Sequence, residues 1–260
     1  MKTRISKATN IVVVTGAGVS ASSGISTWRS GANAIWANDI LEKGTTRYFR
    51  KDPCGAWSWY LEKFGMVEGL MPNLAHKALV ELEGLATEKK KGFTLITQNV
   101  DHLHKKAGSK NVIEVHGKTS HVRCPSGSCP NGGSTGSIPI EEVMPQIEAF
   151  QQTKKVEDLP SCPLCGEVVR AHALWFDESY ESHVDYEIDK VVDALRECDY
   201  LMFIGTSFSV GVTHLIHRIG LTKGVNMICI DPHPEEMRGV HPIRDHAEIV
   251  LPSLVKEMRV

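Results

Sequence analysis

No stretch of this 260-residue chain approaches the ~20 consecutive apolar residues of a membrane-spanning helix. Residues 1–10 are polar, and the apolar run Ile11–Val14 is far shorter than the core of a secretory signal. The expectation is therefore an intracellular, cytoplasmic protein with no membrane partner. Excess charge of one sign is also lacking. A net charge of −2 argues against a general nucleic-acid-binding surface, so no direct nucleic-acid partner is expected. Lys89-Lys90-Lys91, the densest basic run, reads as a solvated helix end. There is no internal repeat and no long low-complexity tract. A secreted disulfide scaffold is excluded as well: the chain is too long, and at 42% hydrophobic its core is too rich.

Short apolar runs are present, at Ile11–Val14, Phe93–Thr97, Val112–Val115, Leu201–Ile204, Met227–Ile230 and Ile249–Leu251. Each reads as a buried strand. Helical patterns lie between them: Asn73 to Leu85, with Leu74, Ala78 and Leu82 on one face, a short helix from Val100 to Ala107, and another from Ile188 to Leu195. The alternation predicts an α/β fold, a doubly wound parallel sheet of Rossmann-like type built from 1–30, 73–117 and 171–260. Residues 31–72 hold aromatics and short helical patterns, and read as a small helical module. Residues 118–170, with Gly, Ser, Pro and Cys dominating 124–138, read as an inserted module.

Polar residues collect at the predicted strand C-termini, where open α/β sheets bind ligands. Gly16-Ala17-Gly18-Val19-Ser20-Ala21 follows the first strand and fits a dinucleotide fingerprint. Its glycines would admit a pyrophosphate, whose charge a helix N-terminus favours. The usual acidic ribose ligand ~20 residues on has no strand-end candidate, so this is not an ordinary dehydrogenase unit. Asn99 and Asp101 leave the next strand and suit a ribose or carboxamide; Asp101 equally suits an N-cap for 102–107. His116 follows Val112–Val115, and a neutral imidazole is a natural base for a hydroxyl proton. His102 and His104 read as ordinary helix residues. Gly205-Thr206-Ser207 and Asp231 end later strands and suit phosphate or ribose, or simple turn chemistry. Cys124-x4-Cys129 and Cys162-x2-Cys165 are two close thiolate pairs. Together they suit one tetrahedral Zn²⁺, and four sulfurs leave no open position, so the metal is expected to be structural.

Taken together these residues resemble the sirtuin (Sir2) family of NAD-dependent protein-lysine deacylases, from about Asn10 to Leu254. The most specific matches are Thr15-Gly16-Ala17-Gly18-Val19-Ser20-Ala21-Ser22-Ser23-Gly24-Ile25, the run Thr97-Gln98-Asn99-Val100-Asp101-His102-Leu103-His104-Lys105-Lys106-Ala107-Gly108, and His116-Gly117. The resemblance implies NAD as co-substrate, on Gly16–Ser20 with Arg29, Gln98, Gly205, Thr206, Ser207 and Asp231 around it. Its nicotinamide would sit near Ala17, Ile25, Asn99 and Asp101. It further implies that the acyl oxygen of a modified lysine displaces nicotinamide, and that Asn99 orders ribose and water. His116 serves as base, and the products are free lysine and O-acyl-ADP-ribose. A substrate peptide would add as a strand between loops Ala173–Glu178 and Ser207–Gly211, with Phe176 walling the acyl-lysine tunnel.

The chain departs from the family pattern in places. Ser26-Thr27-Trp28-Arg29 stands where Pro-Asp-Phe-Arg is usual, Asp177 where Gly is usual, and Asp231 where Asn is usual. The loop after Ser207 is altered too. Tyr60 and Lys63 align with a Tyr-x-x-Arg pair of desuccinylating members. At i and i+3 they share a helix face and could meet an acidic acyl group; alternatively Lys63 is a surface residue beside Glu62. Both acetyl and succinyl substrates therefore stay open. The altered loops also keep open mono-ADP-ribosyl transfer or NAD hydrolysis on the same scaffold.

Overall fold

The computed structural model describes residues 2–25, 40–65 and 69–259. In chain order its strands are β1 (Asn10–Thr15), β2 (Gly92–Thr97), β3 (Val112–Glu114), β4 (Gly117–Arg123), β5 (Ile138–Pro139), β6 (Arg170–Ala173), β7 (Tyr200–Ile204), β8 (Asn226–Ile230) and β9 (Val240–Ile243). The described residues fall into two units, one within 1–27, 70–113 and 188–260, the other within 28–69 and 114–187.

The first unit is built on a six-stranded sheet of order β3-β2-β1-β7-β8-β9. Strand β1 pairs in parallel with β2 and β7, β7 with β8, and β8 with β9. A parallel sheet covered on both faces has no solvent side, which is why Ile11–Val14 and Leu201–Ile204 are continuous apolar runs and fully buried. The helix Leu74–Glu88 follows β1 in the chain, and its start is fixed by Asn73. That side chain accepts from the Ala75 and His76 N–H groups, while His76 bonds back to the Asn73 N–H. Ala75, Ala78, Leu79 and Leu82 pack into the core with Val13, Leu95 and Leu251. Leu74, expected on that face, is 59% exposed.

Three other expectations are corrected. Ile249–Leu251 is not a strand but part of the helix Ala247–Met258. Leu251, Leu254 and Val255 bury one side of it and Ile249 faces out, the helical period that a run of three apolar residues conceals. The last strand is instead β9, Val-His-Pro-Ile, a half-exposed edge strand on which Pro242 is tolerated. The Val100–Ala107 helix begins only at Leu103, because His102 takes a left-handed backbone at φ 58°. The glycine loop enters not an α-helix but a 3-10 helix, Ala17–Ser23.

The second unit has a three-stranded antiparallel sheet, β5-β4-β6. Helices Thr46–Lys51, Pro53–Phe64 and Met144–Thr153 belong to it. Trp57, Trp59, Tyr60, Val122, Phe150 and Trp175 share one apolar core with three of the four paired cysteines, Cys124, Cys129 and Cys162. The Trp57 indole N–H donates to the Val169 carbonyl at 2.7 Å, which satisfies its one polar atom.

Candidate active site

The sheet register assembles one edge of the first unit. Thr15 lies opposite both Thr97 and Ile204, and Ile204 opposite Ile230. The next residues, Gly16, Gln98, Gly205 and Asp231, therefore emerge side by side at the strand C-termini. Gly16 donates its N–H to Ile204, Gly18 to Gly205, and Gly205 to Ile230. This contact needs glycine on both sides. A Cβ on Gly18 would lie 2.7 Å from the Gly205 Cα, and one on Gly205, which has φ +57°, would lie 2.3 Å from the Val19 nitrogen. The turn is thus tight for the sake of its own backbone, beyond any ligand it admits.

A chain of hydrogen bonds, part-buried at Asn99 and buried from Ser20 to Leu103, fixes this turn. Asn99 Nδ2 donates to the Gly16 carbonyl and to Ser20 Oγ, both at 3.1 Å. Ser20 Oγ donates to Asp101 Oδ2 at 2.7 Å, and Asp101 Oδ1 accepts from the Leu103 N–H at 3.0 Å. Asp101 thus serves the start of the short helix, one of the two roles considered for it, and in addition anchors the glycine turn. Gln98 Nε2 donates to the Thr15 carbonyl and to Thr206 Oγ1. Ala17 and Ile25 are half-buried. Ser207 bonds to Ser209, and Asp231 Oδ1 caps the His233 N–H, which is turn chemistry. Arg29, with Ser26, Thr27 and Trp28, lies outside the described residues.

Two histidines stand behind the turn: His76, which the sequence did not single out, and His104, which read as an ordinary helix residue. His104 Nε2 lies 2.9 Å from Thr15 Oγ1, and the His76 and His104 rings are 4.7 Å apart. His76 Nε2 lies 3.4 Å from Ser20 Oγ. Burial holds the His76 imidazole down to about 4, and burial together with His76 holds His104 well below the ordinary range. Both are neutral near pH 7, so Asp101 has no cationic partner among them. The sequence separation of 89 residues between Thr15 and His104 leaves no local signal for this contact.

In the second unit, His116 is half-buried. Its carbonyl accepts from the Leu174 N–H, and Gly117 follows at φ +85°, where a Cβ would strike the His172 carbonyl. Gly117 thus opens β4 in close antiparallel pairing with β6, opposite Ala173. His116 Nε2 lies 3.1 Å from the Tyr180 hydroxyl. Tyr180 is a partner the sequence reading missed. Phe176 is 55% exposed, and its N–H is held by the Gly44 carbonyl. Asp177 binds the start of the helix Thr46–Lys51, accepting from the Thr46 N–H, the Thr46 hydroxyl and the Arg47 N–H at 2.8, 2.7 and 3.1 Å. Tyr60 is 8% exposed and packs on Trp57 and Phe64, and burial pushes its hydroxyl pKa up. The Lys63 ammonium meets Glu62 at 2.6 Å.

Cys124, Cys129, Cys162 and Cys165 place their sulfurs within 4.8 Å of one another. The Cys124–Cys165 and Cys129–Cys162 separations are 3.5 and 3.7 Å. Four sulfurs ~2.3 Å from a tetrahedral zinc would stand roughly 3.8 Å apart, so the cluster fits that ion. Burial would raise the Cys162 thiol, but the N–H groups of Leu164 and Cys165 and the Asn131 amide outweigh it and bring it to about 6. Burial and the neighbouring sulfurs push Cys124 the other way, up to about 12, so one sulfur is ready as a thiolate and a bound metal would have to displace the protons of the others.

Known proteins resemble this chain in sequence and in fold. A family model described as Sir2 family matches residues 16–212. NAD-dependent protein deacylase 1 of Pseudomonas aeruginosa is 33% identical over 255 residues, 96% of this chain and 94% of that protein. NAD-dependent protein deacylase of Thermus thermophilus is 34% identical over 232 residues, 89% of this chain and 82% of that protein. A solved Sir2 homologue–NAD complex superposes with a TM-score of 0.80 at 32% identity, covering 99% of this chain and 92% of that one.

Proposed function

This chain belongs to the Sir2 family, and from that premise we propose that it is an NAD-dependent protein-lysine deacylase, with release of nicotinamide and an O-acyl-ADP-ribose. The observation that carries the reading is the strand register, which gathers the Gly16–Ser20 turn, Gln98, Asn99, Asp101 and Gly205-Thr206 at one sheet edge. These residues would hold NAD. Bound there, NAD supplies an electrophilic anomeric carbon with nicotinamide as its leaving group. The interlocked glycines and the Asn99–Ser20–Asp101 bonds supply a cradle whose shape is set before the ligand arrives, which lowers the ordering cost of binding.

In this reading His116 is the general base that takes a ribose hydroxyl proton, and Asn99 orders the ribose and a water. The Tyr180 hydroxyl, 3.1 Å from His116 Nε2, fixes the orientation of the ring. Phe176 walls the acyl-lysine. Asp177, in place of the family's usual Gly, holds that wall against the helix Thr46–Lys51. Zinc on the four cysteines is structural. A neutral acyl group is the preferred substrate, because Tyr60 is packed in the core and Lys63 already faces the Glu62 carboxylate. The Lys63–Glu62 contact is a surface ion pair of small worth, so the burial of Tyr60 carries most of this preference.

His116→Ala is expected to bind NAD as wild type does and to lose acyl transfer by ~100-fold or more, the range of general-base catalysis. NAD binding is read by calorimetry and acyl transfer by peptide turnover. Undiminished deacylation by the variant would remove His116 from the mechanism. ADP-ribose release without an acyl substrate would favour the NAD-hydrolase reading.

A further inference from the structure

The second unit contains a cavity of about 160 Å³ that none of the residues assigned above to NAD, lysine or the base lines. Its walls include Arg50, Arg123, Arg170 and a single carboxylate, Glu178. The charges there do not balance. Glu178 Oε1 accepts from Arg123 Nη2 at 2.6 Å and from Arg170 Nη2 at 2.5 Å, and its other oxygen accepts from the Trp175 N–H. One carboxylate thus serves two buried guanidiniums, Arg123 at 7% and Arg170 at 3% exposure.

The two arginines differ in what else they hold. Arg170 Nη1 donates to the Ala171 and Ala173 carbonyls, and its guanidinium lies 4.6 Å from the centre of the Trp175 ring. Arg123 Nη1 is buried with no hydrogen-bond partner among the described residues. Buried donors are almost always satisfied, by protein, water or a ligand. Arg50, exposed on the same wall, adds a third cation.

We propose that this cavity is a binding site for a small oxyanion of phosphate type, held by Arg123 and Arg50 in the positive field of Arg170. Guanidinium forks match the oxygens of such anions better than any other side chain. The volume suits it: a water takes roughly 30 Å³ of the liquid, so about 160 Å³ admits a group of a few heavy atoms. A competing explanation of the charge is local. Cys124 lines the same cavity, and a zinc with four thiolates carries two negative charges that the arginines could balance instead.

Titration of the zinc-loaded protein with inorganic phosphate separates the two explanations. It is run against chloride at constant ionic strength, with saturating ADP-ribose to occupy the Gly16–Ser20 turn. The expected result is saturable binding of one phosphate per chain by calorimetry. Arg50→Gln should weaken it at least fivefold, and Arg123→Lys, which keeps a charge toward Glu178 but gives up the unpaired N–H, at least tenfold. If Arg123→Lys fails to fold, the exposed Arg50→Gln decides alone. Phosphate that binds no better than chloride would assign the arginines to the thiolate cluster and overturn the proposal. So would equal phosphate affinity in wild type and Arg50→Gln.

Discussion

Asp177 shows how one residue can replace a family's glycine and acquire a task. Its carboxylate caps the helix Thr46–Lys51, which has no acidic residue in its own first turn. Partial burial would raise its pKa, but the Thr46 hydroxyl and the Thr46 and Arg47 N–H groups outweigh that and hold it below the ordinary 3.8. A depressed carboxylate stabilises the fold when ionised, so its contribution is complete above the unfolded value and is lost as pH falls through the folded one. Asp177→Gly is expected to cost about 1 kcal/mol at pH 7, the typical worth of a helix cap. The difference between the two proteins in urea midpoints should begin to shrink only below pH ~4 and close once the pH lies under the folded value. A gap that persists in acid would assign the effect to the glycine's flexibility instead. At this scale the sequence was readable where a motif is local, as at Gly16, Gly18, Asn99 and the four cysteines. It was silent on His76 and Tyr180 and took His104 for an ordinary helix residue, because their partners lie 56, 64 and 89 residues away.

Elements were readable where both faces are buried, because burial leaves continuous apolar runs. Strand β9 was not, since an edge strand with one solvated side and a proline carries no such run. Ile249–Leu251 misled for the opposite reason: three adjacent apolar residues fit a strand and one turn of an amphipathic helix equally well. The glycines test the element-level account most sharply. Gly18→Ala should lower NAD affinity tenfold or more and reduce stability, because the new methyl meets Gly205 backbone that cannot swing aside. Gly84→Ala should leave NAD affinity unchanged and raise stability. Gly84 sits exposed in the helix Leu74–Glu88 with nothing within 4 Å of its Cβ position, so alanine should stabilise by up to about 1 kcal/mol. Calorimetric titration and thermal melts read both; a Gly18→Ala protein with wild-type NAD affinity would show that the turn tolerates displacement.

At the scale of the whole molecule, the two units have different sources of stability. The first has a large apolar core about its six-stranded sheet. Among its described residues the second has three strands and an apolar core that takes in three of the four cysteines, so it would owe much of its order to zinc. Chelation is therefore expected to shift the fluorescence of Trp57, Trp59 and Trp175, which all lie in the second unit, and to abolish acyl transfer with the loss of a placed His116. The far-UV signal of the parallel sheet and its helices should largely survive. Full activity in the zinc-free protein would refute a structural metal. Among the described residues no helix is long and apolar enough to cross a membrane.

Acyl transfer from lysine to ADP-ribose is the reaction expected of this chain. Mass spectrometry of the products formed from NAD with acetyl-lysine and succinyl-lysine peptides would detect it. Deacylated peptide, nicotinamide and O-acyl-ADP-ribose should form in equal amounts, faster with the acetyl than with the succinyl substrate. ADP-ribose formed with the peptide still acylated, or a peptide heavier by one ADP-ribose, would contradict it.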